Sequence, residues 1–184
     1  MPQPVTLERY SKVAIVLHWL IAAFILTNIG LGIGAANTEG AVHRVVLDLH
    51  KPVGFVILCL SLVRLAWRIY CPPPAAMEGK AAWERPLAAL AHTALYFLMV
   101  LTPFVGLWVS SAAPTRHEIN VLGFNAPFLP VMQGREFAVA AGGVHKYLAW
   151  SLIALLVLHV AAALKHRFVN RDGVMDRMSL LPRR

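Results

Sequence analysis

Four apolar runs, separated by polar segments, organise the chain. They cover residues 13 to about 36, about 53–69, 87 to about 109 and about 144–164. A helix that crosses a bilayer needs about 20 residues, and backbone in lipid has to satisfy its own hydrogen bonds. Each run therefore predicts a transmembrane helix. With polar ends included, the expected helices cover about 13–36, 42–70, 87–110 and 144–167.

Single residues set the limits of the second and third helices. Arg64 and Arg68 interrupt the second run, which reaches a spanning length only if its helix begins near Val42. Pro72, followed by two more prolines, ends that helix because proline cannot continue one. Pro103 lies inside the third run and predicts a kink.

The first run carries two further features. It lacks a clear small-residue cleavage site, so it is expected to remain as a signal anchor. Its last part contains a GxGxG string formed by Gly30, Gly32 and Gly34. No strand precedes the string, which favours close helix packing or a helix end over a nucleotide-binding loop.

Composition indicates that lipid is the solvent of this chain. The sequence is 58% hydrophobic and only 14% charged, with a mean hydropathy of +0.62, whereas soluble proteins contain about 25% charged residues. Its 184 residues suffice for one domain. The predicted fold is a single all-α integral membrane domain over residues 1–184, an up-down bundle of four transmembrane helices.

The basic charge bears on orientation. The net charge is +8, but the charges lie in connectors and tails rather than along an amphipathic stripe, so no nucleic-acid partner is expected. Twelve cations fall on the side of the termini: Arg9, Lys12, Arg64, Arg68, Lys80, Arg85, Lys165, Arg167, Arg171, Arg177, Arg183 and Arg184. Five fall on the opposite side: Arg44, Lys51, Arg116, Arg135 and Lys146. This bias predicts that both termini face the cytoplasm.

The connector of residues 110–143 would then lie outside the membrane. It is long for a helix bundle, and long loops are often functional. It also contains Pro114, Pro127 and Pro130, together with Phe124 and Phe128. Two interpretations stay open, a lid over the outer end of the bundle and an ordinary variable loop.

Histidine spacing carries the main functional signal. His145 and His159 are fourteen residues apart, which is roughly 21 Å of helix rise and places them on one face at two depths. His50 and Arg64 have the same separation on the second helix, which runs in the same direction. His18 lies near the inner start of the first helix. Two layers are predicted: an outer layer with His50 and His145, and an inner layer with His18 and His159.

Two haems, one in each layer, are the predicted cofactors. Paired imidazoles from facing helices can ligate six-coordinate haem iron, and bundle cores hold such groups. Covalent attachment is excluded because Cys59 and Cys71 form no CxxCH motif. Two alternatives remain: histidines that are hydrogen-bonded core residues, or a zinc or copper site. The four apolar runs offer no Asp or Glu to complete such a site.

His92 and Arg64 lie at the level of the inner layer. Three roles are open to His92: replacing His18 as a ligand, contacting a haem propionate, or touching a quinone, and the last two are favoured. Arg64 has the planar fork that pairs with carboxylates. Its predicted partner is a haem propionate, and the alternative is snorkelling to the lipid headgroups.

Other polar residues flank the layers. Lys51 and Lys146 each follow an outer-layer histidine. They could serve outer propionates, attract anions, or anchor the helices at the interface. Trp19 follows His18 and could belong to an aromatic belt or pack on the inner haem. His166, at the inner end of the fourth helix, is interpreted as a solvated interfacial residue or as a proton relay.

Four segments together resemble the bacterial cytochrome b561 family, which is related to the b subunit of nickel hydrogenases. They are ERYSKVAIVLHWLI, LHKPVGFVILCLSLVRLAWR, LAHTALYFLMVLTPFVGLW and VHKYLAWSLIALLVLHVAAALKH, one in each predicted helix. The resemblance covers nearly the whole chain. It implies that His18 and His159 bind an inner haem b, and that His50 and His145 bind an outer one.

The resemblance also implies an activity. Some members look like superoxide oxidases, which take an electron from superoxide on the outer face and pass it to ubiquinone. The expected protein is then a multi-pass oxidoreductase of the bacterial inner membrane, with Lys51, Lys146 and His92 as catalytic residues. Its expected partners are lipid, ubiquinone, and superoxide or another small periplasmic donor. The alternative is an electron conduit and anchor for a partner hydrogenase or dehydrogenase.

Overall fold

A computed structural model describes residues 9–75 and 83–181 of the protein. Within these ranges four long helices follow one another: α1 (Lys12–Ala36), α2 (Gly40–Tyr70), α3 (Glu84–Ala112) and α4 (Arg135–Leu164). All four are long and apolar enough to cross a membrane, α4 together with the turn that follows it. The predicted all-α architecture with four spanning helices is confirmed.

Local chemistry explains where the first two helices begin and end. The Ser11 side-chain oxygen accepts a hydrogen bond from the Ala14 N–H at 3.3 Å and caps α1. α2 begins at Gly40, whose φ of +61° is a left-handed conformation that favours glycine. It ends before Cys71 and the prolines that follow. α2 therefore includes the polar segment that its spanning length required.

The fourth helix begins earlier than predicted. The apolar run indicated a start near Val144, but α4 begins at Arg135, directly after Gly134 with a φ of +149°. An apolar run marks only the part of a helix that lies in hydrocarbon. Alanine-rich turns also form helix at a wet membrane surface, where no hydrophobic signal reveals them. The connector is correspondingly shorter, from 113 to 134.

The connector covers the outer end of α3. It carries a two-residue hairpin in which β1 (Asn120–Val121) pairs antiparallel with β2 (Phe124–Asn125). Ile119 and Ala126, on either side of this hairpin, are buried against Leu107 of α3. The connector is therefore packed onto the bundle.

The helices pack most closely within the pairs α1–α2 and α3–α4. Ile21 and Ile25 of α1 meet Ile57 of α2 in a buried cluster. Many other large apolar side chains stay exposed, such as Phe97 at 62% and Leu158 at 64%. Water would penalise that exposure, whereas lipid accepts it, so the surface suits a bilayer.

The two ends of the described chain meet on one face of the bundle. After α4 the chain forms a π-helical turn (Lys165–Asn170) and a 3₁₀ turn (Met175–Met178). The Tyr10 N–H then donates a hydrogen bond to the Arg177 carbonyl at 3.3 Å. The cytoplasmic location of this face stays a prediction. Three cations counted on this side lie outside the described residues: Lys80, Arg183 and Arg184.

Candidate functional site

The outer layer consists of one histidine from α2 and one from α4. The ring centres of His50 and His145 are 6.2 Å apart, and the ring planes meet at 82°. Two metal–nitrogen bonds of about 2 Å each, together with the distance from each ring centre to its nitrogen, span about 6 Å. The two imidazoles therefore stand at the separation that a metal ion between them requires.

A backbone carbonyl of the neighbouring helix holds each outer-layer histidine. His50 Nδ1–H donates to the Asn28 carbonyl of α1 at 3.2 Å, and His145 Nδ1–H donates to the Thr102 carbonyl of α3 at 2.9 Å. We assign the proton to Nδ1 because a carbonyl can only accept. Nε2 then keeps its lone pair for a metal, which is the tautomer that axial ligation needs.

The surroundings of the outer layer also fit a bound group. A Cβ at Gly32 would lie 3.2 Å from His50 Cε1, and one at Gly106 would lie 3.0 Å from His145 Cε1. Only glycine leaves the rings this space. The two residues that supply the carbonyls also have buried side-chain oxygens, Oδ1 and Oγ1, without a hydrogen-bond partner in the described structure. Such atoms normally have partners, so they suit the polar edge of a cofactor.

The inner layer brings three histidines together. The ring centres of His18 and His159 are 6.2 Å apart, the same separation as in the outer layer. The ring centre of His92, from α3, lies 5.7 Å from that of His159. The described residues contain no group of three or more His, Cys, Asp or Glu side chains suited to a bare metal ion. Pairs of imidazoles are therefore the ligand sets that the bundle offers.

Arg64 crosses the inner layer from α2. Its Nη1–H donates to the Ala14 carbonyl at 3.1 Å, and its guanidinium carbon lies 5.7 Å from the centre of the Tyr96 ring. Neither contact neutralises the charge. A guanidinium held in this way can still bind a carboxylate, as the predicted propionate pairing requires.

Trp19 joins the inner layer to the C-terminal segment. Its ring meets that of His18 edge-on, with the ring centres 5.4 Å apart. The indole N–H donates to the Met178 carbonyl at 2.8 Å, and 42% of the side chain is exposed. Trp19 thus contacts the predicted inner ligand while part of the residue stays exposed. The belt and the haem-packing interpretations both stay predictions.

The outer end of the bundle is basic. Lys51 is half-buried beside His50, and Lys146 is exposed beside His145. The salt bridges found among the described residues involve neither lysine nor the three arginines counted on this side: Arg44, Arg116 and Arg135.

Arg116 has a structural contact as well as its charge. Its Nε–H donates to the Ser111 carbonyl at 2.8 Å, and its guanidinium carbon lies 5.2 Å from the centre of the Phe128 ring. The connector is thus fixed to α3 by a side chain that still adds positive charge at this end.

At the inner end, His166 and Asp172 form a partly buried pair that the sequence did not predict. His166 Nδ1–H donates to Asp172 Oδ2 at 2.6 Å across the π-helical turn. His166 also lines a cavity of about 300 Å³ with the basic residues Arg167 and Arg171, and with Asp176 among others. The sequence placed His166 at the interface but gave no sign of its partner, because the turn between them is irregular.

Comparison with known proteins identifies the family of the chain. The family model described as prokaryotic cytochrome b561 matches residues 9–179. The chain belongs to the prokaryotic cytochrome b561 family. Members of this family are b-type haem proteins of membranes that transfer electrons, and the paired imidazoles are residues suited to hold haem. The predicted family is confirmed.

Three relatives illustrate the range of the family. The chain is 32% identical to cytochrome b561 homolog 2 of Escherichia coli, over 94% of this chain and 92% of the relative. It is 27% identical to cytochrome b562 of Cereibacter sphaeroides, over 92% and 94%. It is 23% identical to the probable superoxide oxidase CybB of Yersinia pestis, over 93% and 96%.

Proposed function

We propose that this cytochrome carries electrons through two b haems, from superoxide at the periplasmic face to ubiquinone at the cytoplasmic side. The observation that carries the proposal is the pairing of His50 with His145 and of His18 with His159, at equal separations in two layers. Bound haem would supply a one-electron carrier in each layer. Two superoxide ions then lose one electron each and become O₂, while one ubiquinone gains two electrons and two protons.

The outer end suits a small anion. Lys51 and Lys146 flank the outer layer, and their charge is not consumed by a salt bridge among the described residues. Positive charge beside a low-dielectric surface raises the local concentration of an anion and speeds its arrival. In this proposal the lysines guide superoxide to the outer layer.

The inner end carries side chains that can bind a quinone and deliver protons to it. His92 is exposed next to His159 and can meet a quinone carbonyl from α3. His166, bonded to Asp172, stands where the bundle meets the basic C-terminal segment and can pass protons inward. Arg64 would hold the inner propionates in place.

Relatives support both this proposal and an alternative. The Yersinia pestis relative is named a probable superoxide oxidase, which favours superoxide as donor. The more similar Escherichia coli relative carries only a cytochrome name, which leaves room for an electron conduit that serves a partner hydrogenase or dehydrogenase. The two functions differ in the electron donor.

Proteoliposomes of known orientation provide the test. Superoxide is generated outside, and haem reduction and quinol formation are followed optically. The proposal expects prompt haem reduction followed by quinol, with inhibition by added superoxide dismutase. Absence of reduction by superoxide, together with rapid reduction by a co-purifying protein, would establish the conduit instead.

A further inference from the structure

The two halves of the bundle repeat one another. In α1, Asn28 and Gly32 follow His18 by ten and fourteen residues. In α3, a threonine and a glycine follow His92 at the same two distances, at 102 and 106. α2 and α4 repeat in the same sense, because an inner-layer side chain lies fourteen residues after the outer-layer histidine in both: Arg64 after His50, and His159 after His145.

The repeat is complete in the outer layer and broken in the inner one. In the outer layer both halves supply a histidine, a carbonyl that accepts from its Nδ1–H, and a glycine one turn after that carbonyl. In the inner layer α4 supplies His159 where α2 supplies Arg64. No hydrogen bond to a ring nitrogen of His18 or His159 is found in the described part of the chain. The two layers are therefore built differently.

We propose that each carbonyl and the glycine that follows it form a seat that fixes the orientation of one outer-layer imidazole. One seat is Asn28 with Gly32, and the other is Thr102 with Gly106. In this inference, which rests on the proposed function for the presence of an outer haem, the two glycines are positioning residues that act on the iron through His50 and His145.

The geometry explains why glycine is needed. The nearest ring atom to an added Cβ is Cε1 in both seats, at 3.2 Å from Gly32 and 3.0 Å from Gly106. Cε1 lies between Nδ1 and Nε2 in the imidazole ring. A methyl group that pushes Cε1 would displace Nδ1 from its carbonyl and would change the direction of Nε2, the nitrogen that would bind the metal.

Three other helix glycines do not share this arrangement. An added Cβ at Gly30 of α1, or at Gly142 or Gly143 of α4, would meet nothing within 4 Å. Alanine is also a better helix former than glycine. A glycine with a merely structural role in the helix should therefore tolerate alanine, whereas a seat glycine should not.

The experiment compares Gly32→Ala and Gly106→Ala with the control Gly30→Ala in purified full-length protein. Readouts are the haem content per chain, the low-spin electron paramagnetic resonance signal of each haem, and the midpoint potential of each haem. His50→Ala supplies the reference spectrum without the outer haem. We expect Gly106→Ala to lose or visibly shift the outer signal, Gly32→Ala to do so more weakly, and Gly30→Ala to match the parent protein.

The outcomes separate this inference from the proposed function. Retention of the inner signal shows that each variant is folded, and Gly106→Val provides a larger push if alanine gives a small shift. Two haems in the parent protein, with the outer signal and potential unchanged in Gly32→Ala, Gly106→Ala and Gly106→Val, would overturn the seats alone. A single haem in the parent protein would overturn the two-haem proposal itself.

Discussion

His92 and His159 stand with their ring centres 5.7 Å apart and their planes at 75°. Both this separation and the 6.2 Å of the predicted inner pair lie near the value of about 6 Å that a metal ion between two imidazoles requires. Resemblance to the family favours His18 as the ligand, and the exposure of His92 favours a place beside a quinone. Mutation can therefore decide whether His18 or His92 is the partner of His159.

We expect His92→Ala to keep both haems and to slow quinol formation or shift the inner potential. The reason is that His92 would touch the quinone or a propionate rather than the iron. Haem content and quinol formation are measured in parallel, with the exposed His117→Ala as the control. Loss of a haem in His92→Ala, together with its retention in His18→Ala, would make His92 the true partner of His159.

The four ligands predict a layered pattern of haem loss. His50→Ala or His145→Ala should remove the outer haem, and His18→Ala or His159→Ala should remove the inner one, because six-coordinate iron needs both imidazoles. Haem-to-protein ratios and redox titrations of the four variants measure this. A variant of the outer pair that loses the inner signal instead would contradict the assignment of layers.

The rate at which superoxide reduces the haems should depend on the positive charge at the outer end. Lys51→Glu should slow haem reduction by superoxide by about tenfold, since local charge alters association rates by such factors. Added salt should reduce the difference between the variant and the parent protein. Lys12→Glu, the same change in an exposed lysine at the other end of the bundle, is the control. Equal rates for Lys51→Glu and the parent protein would remove this lysine from the path of the anion.

We expect Asp172 to affect the proton transfer that quinol formation requires, and not the electron transfer to the haems. Asp172→Asn keeps the size of the side chain but removes the charge that pairs with His166. We expect superoxide to reduce the haems at the parent rate and quinol to form several-fold more slowly, since general acid–base partners contribute at least that much. Stopped-flow haem reduction and quinol assays separate the two steps. A defect in haem reduction alone would place Asp172 elsewhere in the mechanism.

The sequence was most informative where one physical rule governs a whole segment. Lipid demands long apolar helices, so the four spans could be located, and helix rise then converted the spacing of His145 and His159 into depth. The same rule gives no signal at Arg135, because α4 begins there, well before the apolar run. It also says nothing about backbone carbonyls, which have no sequence signature.

The carbonyl partners of His50 and His145 can therefore be identified only from the three-dimensional structure. One signal was nonetheless present, because the distances from His18 to Gly32 and from His92 to Gly106 are equal. Taken alone, the GxGxG string of α1 predicts only close helix packing or a helix end. The equal spacing in the two halves of the chain indicates a common role for Gly32 and Gly106.

His145 and His159 belong to one uninterrupted helix, α4. In the proposed two-haem protein, both irons would be bound by residues of one continuous helix, and the connectors and tails would not contribute to the distance between them. Electron tunnelling depends steeply on distance, so the proposed step between the haems would be insulated from motion at the surface. The ends of the molecule could then differ with the donor and acceptor, while the distance between the proposed haems would stay the same.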